Sequence, residues 1–169
     1  MKLKPGDIFC TENPLILGRA INVVQRFISP DSKAQYSHSG LILDVTGGTF
    51  EALWTNKRQD LFTAYQGKNI LVGRHSGMTA EKFMTGWQRI SHHEGKWYAG
   101  HRLLFFLVCP PLAKYFKMGL GVCSELTAKH WYRAGLLDFW AGVYPDRLAD
   151  MIHNWKDIET VYEGVCPVR

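Results

Sequence analysis

Short, mostly apolar segments recur through the first 75 residues of the chain, as they do in proteins with buried strands. Asp7–Cys10 follows a Pro-Gly turn and reads as a strand. "SHSGLILDV" from Ser37 and "TFEALWT" from Thr49 flank the turn sequence "TGG", so they predict a hairpin. "NILVGRH" from Asn69 predicts a further strand. A small antiparallel sheet is therefore expected in this half of the protein.

Apolar residues at steps of three and four dominate the remaining segments and predict helices. Helices are predicted at "PLILGRAINVVQRFIS" (14–29), from the N-cap Thr79, at "WYAGHRLLFFLV" (97–108), from Cys123 to the C-cap Gly135, and at "YPDRLADMIH" (144–153). "DIETVYE" (157–163) is a candidate closing strand. The pattern predicts an α+β fold, with a small antiparallel sheet packed on helices. Since no linker separates the elements, residues 1–169 are expected to form one domain.

Composition and charge limit the classes of function. The chain has 169 residues, of which 46% are hydrophobic, and a formal net charge of +5. A basic chain permits an anionic partner or a membrane surface. The Lys and Arg residues form no basic run, however, so nucleic-acid binding is not predicted. No apolar run is long enough to span a bilayer, and no apolar segment follows the N-terminal lysines, so we expect a cytoplasmic protein.

The four cysteines are widely separated and include no Cys-x-x-Cys pair. Neither a zinc ribbon nor a disulfide framework is therefore indicated, and we expect no metal and no organic cofactor. None of Cys10, Cys109 and Cys166 opens a predicted helix, Cys10 lies in an apolar strand and Cys109 ends an apolar run, so all three are expected to be buried, unreactive thiols.

Cys123 differs because it opens a predicted helix after the Gly-rich approach "GLGV". Unpaired backbone N–H groups and the helix dipole favour an anion at that position, so they favour the thiolate. The same amides can donate to an oxyanion during acyl transfer. The sequence alone leaves open the alternative, an ordinary buried cysteine at the start of a helix.

His38 is the candidate base for such a nucleophile, because it lies at the entrance to an apolar strand with Gly40 clearing space beside it. If the hairpin loop spans 44–47, Glu51 lies opposite Gly40 and diagonal to His38, on the same face of the sheet. Glu51 is also a lone acid in an apolar stretch, although a surface glutamate remains the alternative. His130 is expected to serve in packing or at the rim of the site, and His92 and His93 to mark a polar helix end.

These residues resemble a known family. The ordered set "PGDIF", "SHSGLIL", "TFEA", "CSEL" and "YPDRLAD" is similar to the circularly permuted papain-like fold, in which histidine precedes cysteine. The similar proteins are YiiX-like relatives of the NlpC-type peptidases and, more distantly, lecithin retinol acyltransferase. The resemblance covers about residues 5 to 150, and it implies a triad of nucleophile Cys123, base His38 and orienting acid Glu51. It gives Tyr36 and Val122 as oxyanion or substrate positions.

The resemblance implies a thiol-dependent hydrolase that cleaves an amide bond, such as that of a peptidoglycan-type peptide, through an acyl-enzyme on Cys123. Two alternatives stay open: a lipid-directed thioesterase or acyltransferase that uses the same triad, and a non-catalytic binding module of this fold. The aromatic segment 79–113 could be core or a lid over the substrate. A bacterial or phage setting fits the resemblance, while the substrate, the acceptor and the oligomeric state cannot be read from the sequence.

Overall fold

A computed structural model of the chain describes residues 1–12, 35–53, 55–96 and 122–168. The helices predicted over 14–29 and 97–108, and with them Cys109, lie outside the described residues. No helix in the described ranges is long and apolar enough to cross a membrane.

Six strands form one antiparallel sheet in the described part of the chain. They are β1 (Ile8–Thr11), β2 (His38–Ile42), β3 (Gly48–Ala52), β4 (Asn56–Asp60), β5 (Asn69–His75) and β6 (Ile158–Val165), in the spatial order β4-β3-β2-β1-β5-β6. The predicted α+β class is confirmed, and so are the hairpin and the closing strand. Strand β2 lies inside the sheet, where it pairs with β3 on one side and with β1 on the other.

Four α-helices and a short 3₁₀ helix, Ser91–His93, accompany the sheet in the described residues. The α-helices are α1 (Leu61–Tyr65), α2 (Ala80–Ile90), α3 (Val122–Arg133) and α4 (Pro145–Asn154). Thr79 caps α2 through its side chain, as predicted, and Gly135 after α3 has a positive φ of 69°. Pro145 occupies the first turn of α4, where its missing N–H costs nothing.

Alternating side chains of the strands bury against different helices on the two faces of the sheet. On one face Ile8, Leu41 and Leu71 pack with Trp131 of α3 and with the apolar side of α4. On the other face a second cluster includes α1. Its members are Leu3, Phe9, Ile42, Leu61, Tyr65, Ile70, Val72 and Cys166. The sheet thus lies between two apolar clusters, one on each of its faces.

The sequence pattern missed two adjacent elements, β4 and α1. The β4 sequence "NKRQD" has no alternation of apolar residues, because β4 is an edge strand whose Lys57 and Arg58 face solvent. Helix α1 spans five residues, too few for a helical period to be recognised. Its cap is clear in the structure, where the Asp60 carboxylate accepts hydrogen bonds from the Thr63 backbone N–H and hydroxyl at 2.8 Å.

Candidate active site

The hairpin of β2 and β3 brings His38 and Glu51 together. Gly40 lies opposite Glu51 in the register, as predicted from a loop over 44–47. Glu51 is then the diagonal neighbour of His38, and His38 Nε2 lies 2.7 Å from Glu51 Oε2. A Cβ on Gly40 would lie 2.7 Å from Glu51 Cγ and 2.5 Å from the Phe9 ring, so only glycine leaves room for this contact.

Three donors hold the Glu51 carboxylate, which is fully buried. The Thr49 hydroxyl donates to Oε1, whereas His38 and the Tyr65 hydroxyl both bond to Oε2. Tyr65 also stacks on His38, with ring centroids 6.0 Å apart and an interplanar angle of 25°. A buried charge needs such partners, so Glu51 is the fixed anion of this face of the sheet.

Cys123 approaches the same histidine from the first turn of α3. Its side chain hydrogen-bonds with His38, and its sulfur also accepts from the backbone N–H groups of Ser39 and Ser124. The register of β2 with β3 begins at Gly40, so the Ser39 amide that bonds to the sulfur lies one residue before this pairing starts. Because His38 Nε2 is engaged with Glu51, Nδ1 is the nitrogen available to Cys123.

The three groups shift one another's ionisation. Burial acts to raise the pKa of Cys123, but the hydrogen bond and charge of His38 and the two amides outweigh it and lower that pKa. Burial acts to lower the pKa of His38, but its bonds to Cys123 and Glu51 raise it to about 10. Burial opposes ionisation of Glu51 as well, and the bond to His38 still lowers its pKa. All three shifts favour the charged forms, so they favour a thiolate, an imidazolium and a carboxylate in contact.

A thiolate in contact with an imidazolium can attack an electrophilic carbon, and the imidazolium can then protonate a leaving group. Both side chains are nearly buried, since Cys123 is 5% and His38 4% exposed. Burial keeps the ion pair out of bulk water, where screening would weaken it. The three groups are therefore placed so that they can act as nucleophile, proton donor and orienting carboxylate.

Tyr36 and Val122 had been predicted as oxyanion or substrate positions. The structure directs the Tyr36 hydroxyl towards Glu163 Oε1 on β6, at 3.5 Å, and β1 and β5 lie between β6 and β2. Val122 is the first residue of α3. The roles suggested for these two residues stay predictions, and the proposed reaction needs neither of them.

Cys10, Cys166 and His130 lie in packed surroundings. Cys10 is 0% and Cys166 1% exposed. Burial raises the pKa of both, with the charge of Cys123 adding to the effect at Cys10 and that of Asp60 at Cys166. His130 is buried between α3 and α2, with Nε2 3.2 Å from the Phe83 carbonyl oxygen, and burial lowers its pKa to about 4. This placement agrees with the packing role predicted for His130.

Sequence reasoning missed Tyr65, Thr49 and Asp146. The Asp146 carboxylate at the start of α4 accepts from the backbone N–H of Gln35 at 3.0 Å and of Tyr36 at 3.5 Å, which ties the approach to β2 onto that helix. Thr49 could have been found, because it lies two residues from Glu51 on the same face of β3. Tyr65 and Asp146 reach the site only through tertiary packing, and no local signal identifies them.

Comparison with known proteins adds one finding to this geometry. No family model matches the chain, and no curated protein sequence matches it significantly. The crystal structure of YiiX, a protein from Escherichia coli O157:H7 described as a metalloprotein, matches with a TM-score of 0.64. The chain has a YiiX-like fold. The match covers 98% of this chain and 99% of YiiX at 17% sequence identity. The YiiX-like part of the predicted resemblance is confirmed for the fold, whereas the permutation and the link to NlpC-type peptidases and lecithin retinol acyltransferase stay predictions.

Proposed function

We propose that the protein is a thiol-dependent hydrolase that cleaves an amide bond through an acyl-enzyme on Cys123. The observation that carries this proposal is the continuous hydrogen-bonded chain from the Cys123 thiol through His38 to the buried Glu51. A buried structural cysteine needs no such chain, and Cys10 and Cys166 instead have raised thiol pKa values.

The chemistry follows from the charges of the three groups. The Cys123 thiolate attacks the carbonyl carbon of the amide, and the carbonyl oxygen becomes an oxyanion. His38 gives its proton to the leaving nitrogen as the C–N bond breaks, which leaves an acyl thioester on Cys123. Neutral His38 then takes a proton from water, which attacks the thioester, and the thiolate leaves. Glu51 balances the positive charge of His38 and fixes the orientation of its ring throughout.

YiiX is described as a metalloprotein, so we tested whether the same residues fit a metal ion. His38 uses one ring nitrogen for Glu51 and directs the other at Cys123, which leaves no imidazole lone pair for a ligand bond. The described ranges contain no group of three His, Cys, Asp or Glu side chains arranged to hold a metal. The residues present do not fit such an ion, and the proposed reaction uses none.

The proposal is tested by measuring the rate at which the protein cleaves amide substrates. Purified protein is incubated with peptidoglycan-type peptides and with fluorogenic acyl amides, and the products are identified by mass spectrometry. We expect amine release by the wild type, its loss in Cys123→Ala and its retention in Cys166→Ala, which removes a buried thiol that bonds to the Leu61 carbonyl oxygen. Cleavage by Cys123→Ala at the wild-type rate would exclude the proposed nucleophile.

A further inference from the structure

Tyr65 lies at the centre of the hydrogen bonds around Glu51 but has no part in a cysteine, histidine and carboxylate triad. Its hydroxyl donates to Glu51 Oε2, the oxygen that also accepts from His38 Nε2. Its ring stacks on His38 on one side and lies 5.2 Å from the Phe9 ring on the other. Tyr65 is 7% exposed and belongs to α1, which Asp60 caps next to the edge strand β4.

The shared oxygen makes the two hydrogen bonds compete. A carboxylate oxygen that accepts from one donor offers less electron density to a second one, so a strong bond from Tyr65 weakens the attraction of Glu51 for the proton on His38. The Thr49 hydroxyl occupies Oε1 and prevents the carboxylate from rotating to separate the two bonds. Burial and the negative charge of Glu51 raise the pKa of Tyr65, so its hydroxyl stays protonated and remains a donor.

The competition between these two hydrogen bonds affects the reaction proposed above, on which the inference rests. An imidazolium held too tightly by Glu51 would keep the Cys123 thiolate but would be a poor acid for the leaving nitrogen. We infer that Tyr65 is a positioning residue, which fixes the Glu51 carboxylate against His38 and reduces the hold of its Oε2 on the His38 proton.

The test uses the pH dependence of Cys123 alkylation, which needs no substrate. Titratable groups near the thiol come from four other elements: His38 (β2), Glu51 (β3), Tyr65 (α1) and Cys10 (β1). Tyr65→Phe keeps the ring stack and removes only the hydroxyl. We expect the low-pH limb of the iodoacetamide profile to move to higher pH, because a Glu51 carboxylate without the Tyr65 hydroxyl draws the His38 charge towards itself and away from the Cys123 thiolate. The expected shift is about half a unit, since a hydrogen bond to a charged group contributes on the order of one pKa unit. Amide turnover should fall in the same variant.

Two further variants complete the test: a matched control, and a Tyr65 variant whose profile should shift in the opposite direction. Tyr162→Phe removes a hydroxyl that donates to the Val165 carbonyl oxygen at 2.6 Å on β6, and its profile should overlay that of the wild type. Replacement of Tyr65 by 3-fluorotyrosine keeps every hydrogen bond but strengthens the donor, so the limb should move to lower pH. This second variant also covers the case in which Tyr65→Phe fails to fold.

The outcomes separate the inference from the proposed function. Overlay of the Tyr65→Phe and wild-type profiles, or movement of both Tyr65 variants in the same direction, would overturn the inference while leaving the triad intact. If wild-type Cys123 reacted no faster than Cys10 and Cys166, the proposed nucleophile itself would fail. Thermal unfolding of each variant, measured by circular dichroism, shows whether a profile belongs to folded protein.

Discussion

Replacement of His38 by Ala should convert Cys123 from a reactive thiolate to an ordinary buried thiol. Two opposite unit charges about 4 Å apart attract by about 4 kcal/mol at an effective dielectric constant near 20, which is close to a thousandfold in an equilibrium constant. Without this attraction, burial acts to raise the pKa of the thiol against only the amides of Ser39 and Ser124. An ordinary cysteine with a pKa of about 8.5 is only about 3% ionised at pH 7.

The expected result is a fall of about 30-fold or more in the rate of Cys123 alkylation at pH 7, in proportion to the lost thiolate. The measurement is the rate of iodoacetamide modification between pH 4 and about 10, with each labelled cysteine located by mass spectrometry. His153→Ala is the matched control, since His153 is a half-exposed histidine whose Nε2 lies 3.3 Å from Glu163 Oε2. If the His38→Ala and wild-type profiles coincided, the thiol and the imidazole would not interact and the reasoning would be refuted.

Three further predictions follow from the same contacts. Glu51→Gln should slow Cys123 alkylation less than His38→Ala does, because the thiol keeps its imidazole, yet it should reduce amide turnover by about 100-fold or more, as in other triads. Gly40→Ala should lower the free energy of unfolding by about 1–3 kcal/mol, measured by urea denaturation, because its Cβ would overlap Phe9 and Glu51. His38 has a pKa of about 10 in the folded protein and about 6.5 when unfolded. The stabilisation that His38 gives the folded protein is therefore complete below pH 6.5 and is lost as the pH rises to 10. The difference in free energy of unfolding between wild type and His38→Ala should shrink across that window. A constant difference would count against the ion pair.

The hairpin was predictable because its evidence is local. A four-residue loop between two apolar strands fixes which residues lie opposite each other, and a slip of one residue would have placed Glu51 on the other face. The observed pairing of Gly40 with Glu51 follows directly from that loop. The first turn of α3 was predictable for the same reason, since the residue order around Cys123 indicates where the helix begins.

The remainder of the site depends on contacts between segments distant in the chain. Helix α1 gives no periodic signal, so the contribution of Tyr65 to Glu51 could not be anticipated from its sequence. The Ser39 amide bonds to Cys123 next to the point where the pairing of β2 with β3 begins, and this contact depends on how α3 packs against the assembled sheet. Local sequence thus predicted which three side chains meet, whereas tertiary packing supplies the donors that hold them.

The most direct test of the central claim is to trap an acyl group on the protein. The wild type is mixed with an acyl probe carrying a good leaving group, quenched in acid at successive times, and mapped by peptide mass spectrometry. We predict a single acyl adduct on Cys123 that forms rapidly at pH 7, decays as water hydrolyses it, and forms slowly in His38→Ala. An adduct formed at the same rate on Cys10 or Cys166, or an equal rate at Cys123 with and without His38, would contradict the assignment of Cys123 and His38 as nucleophile and base.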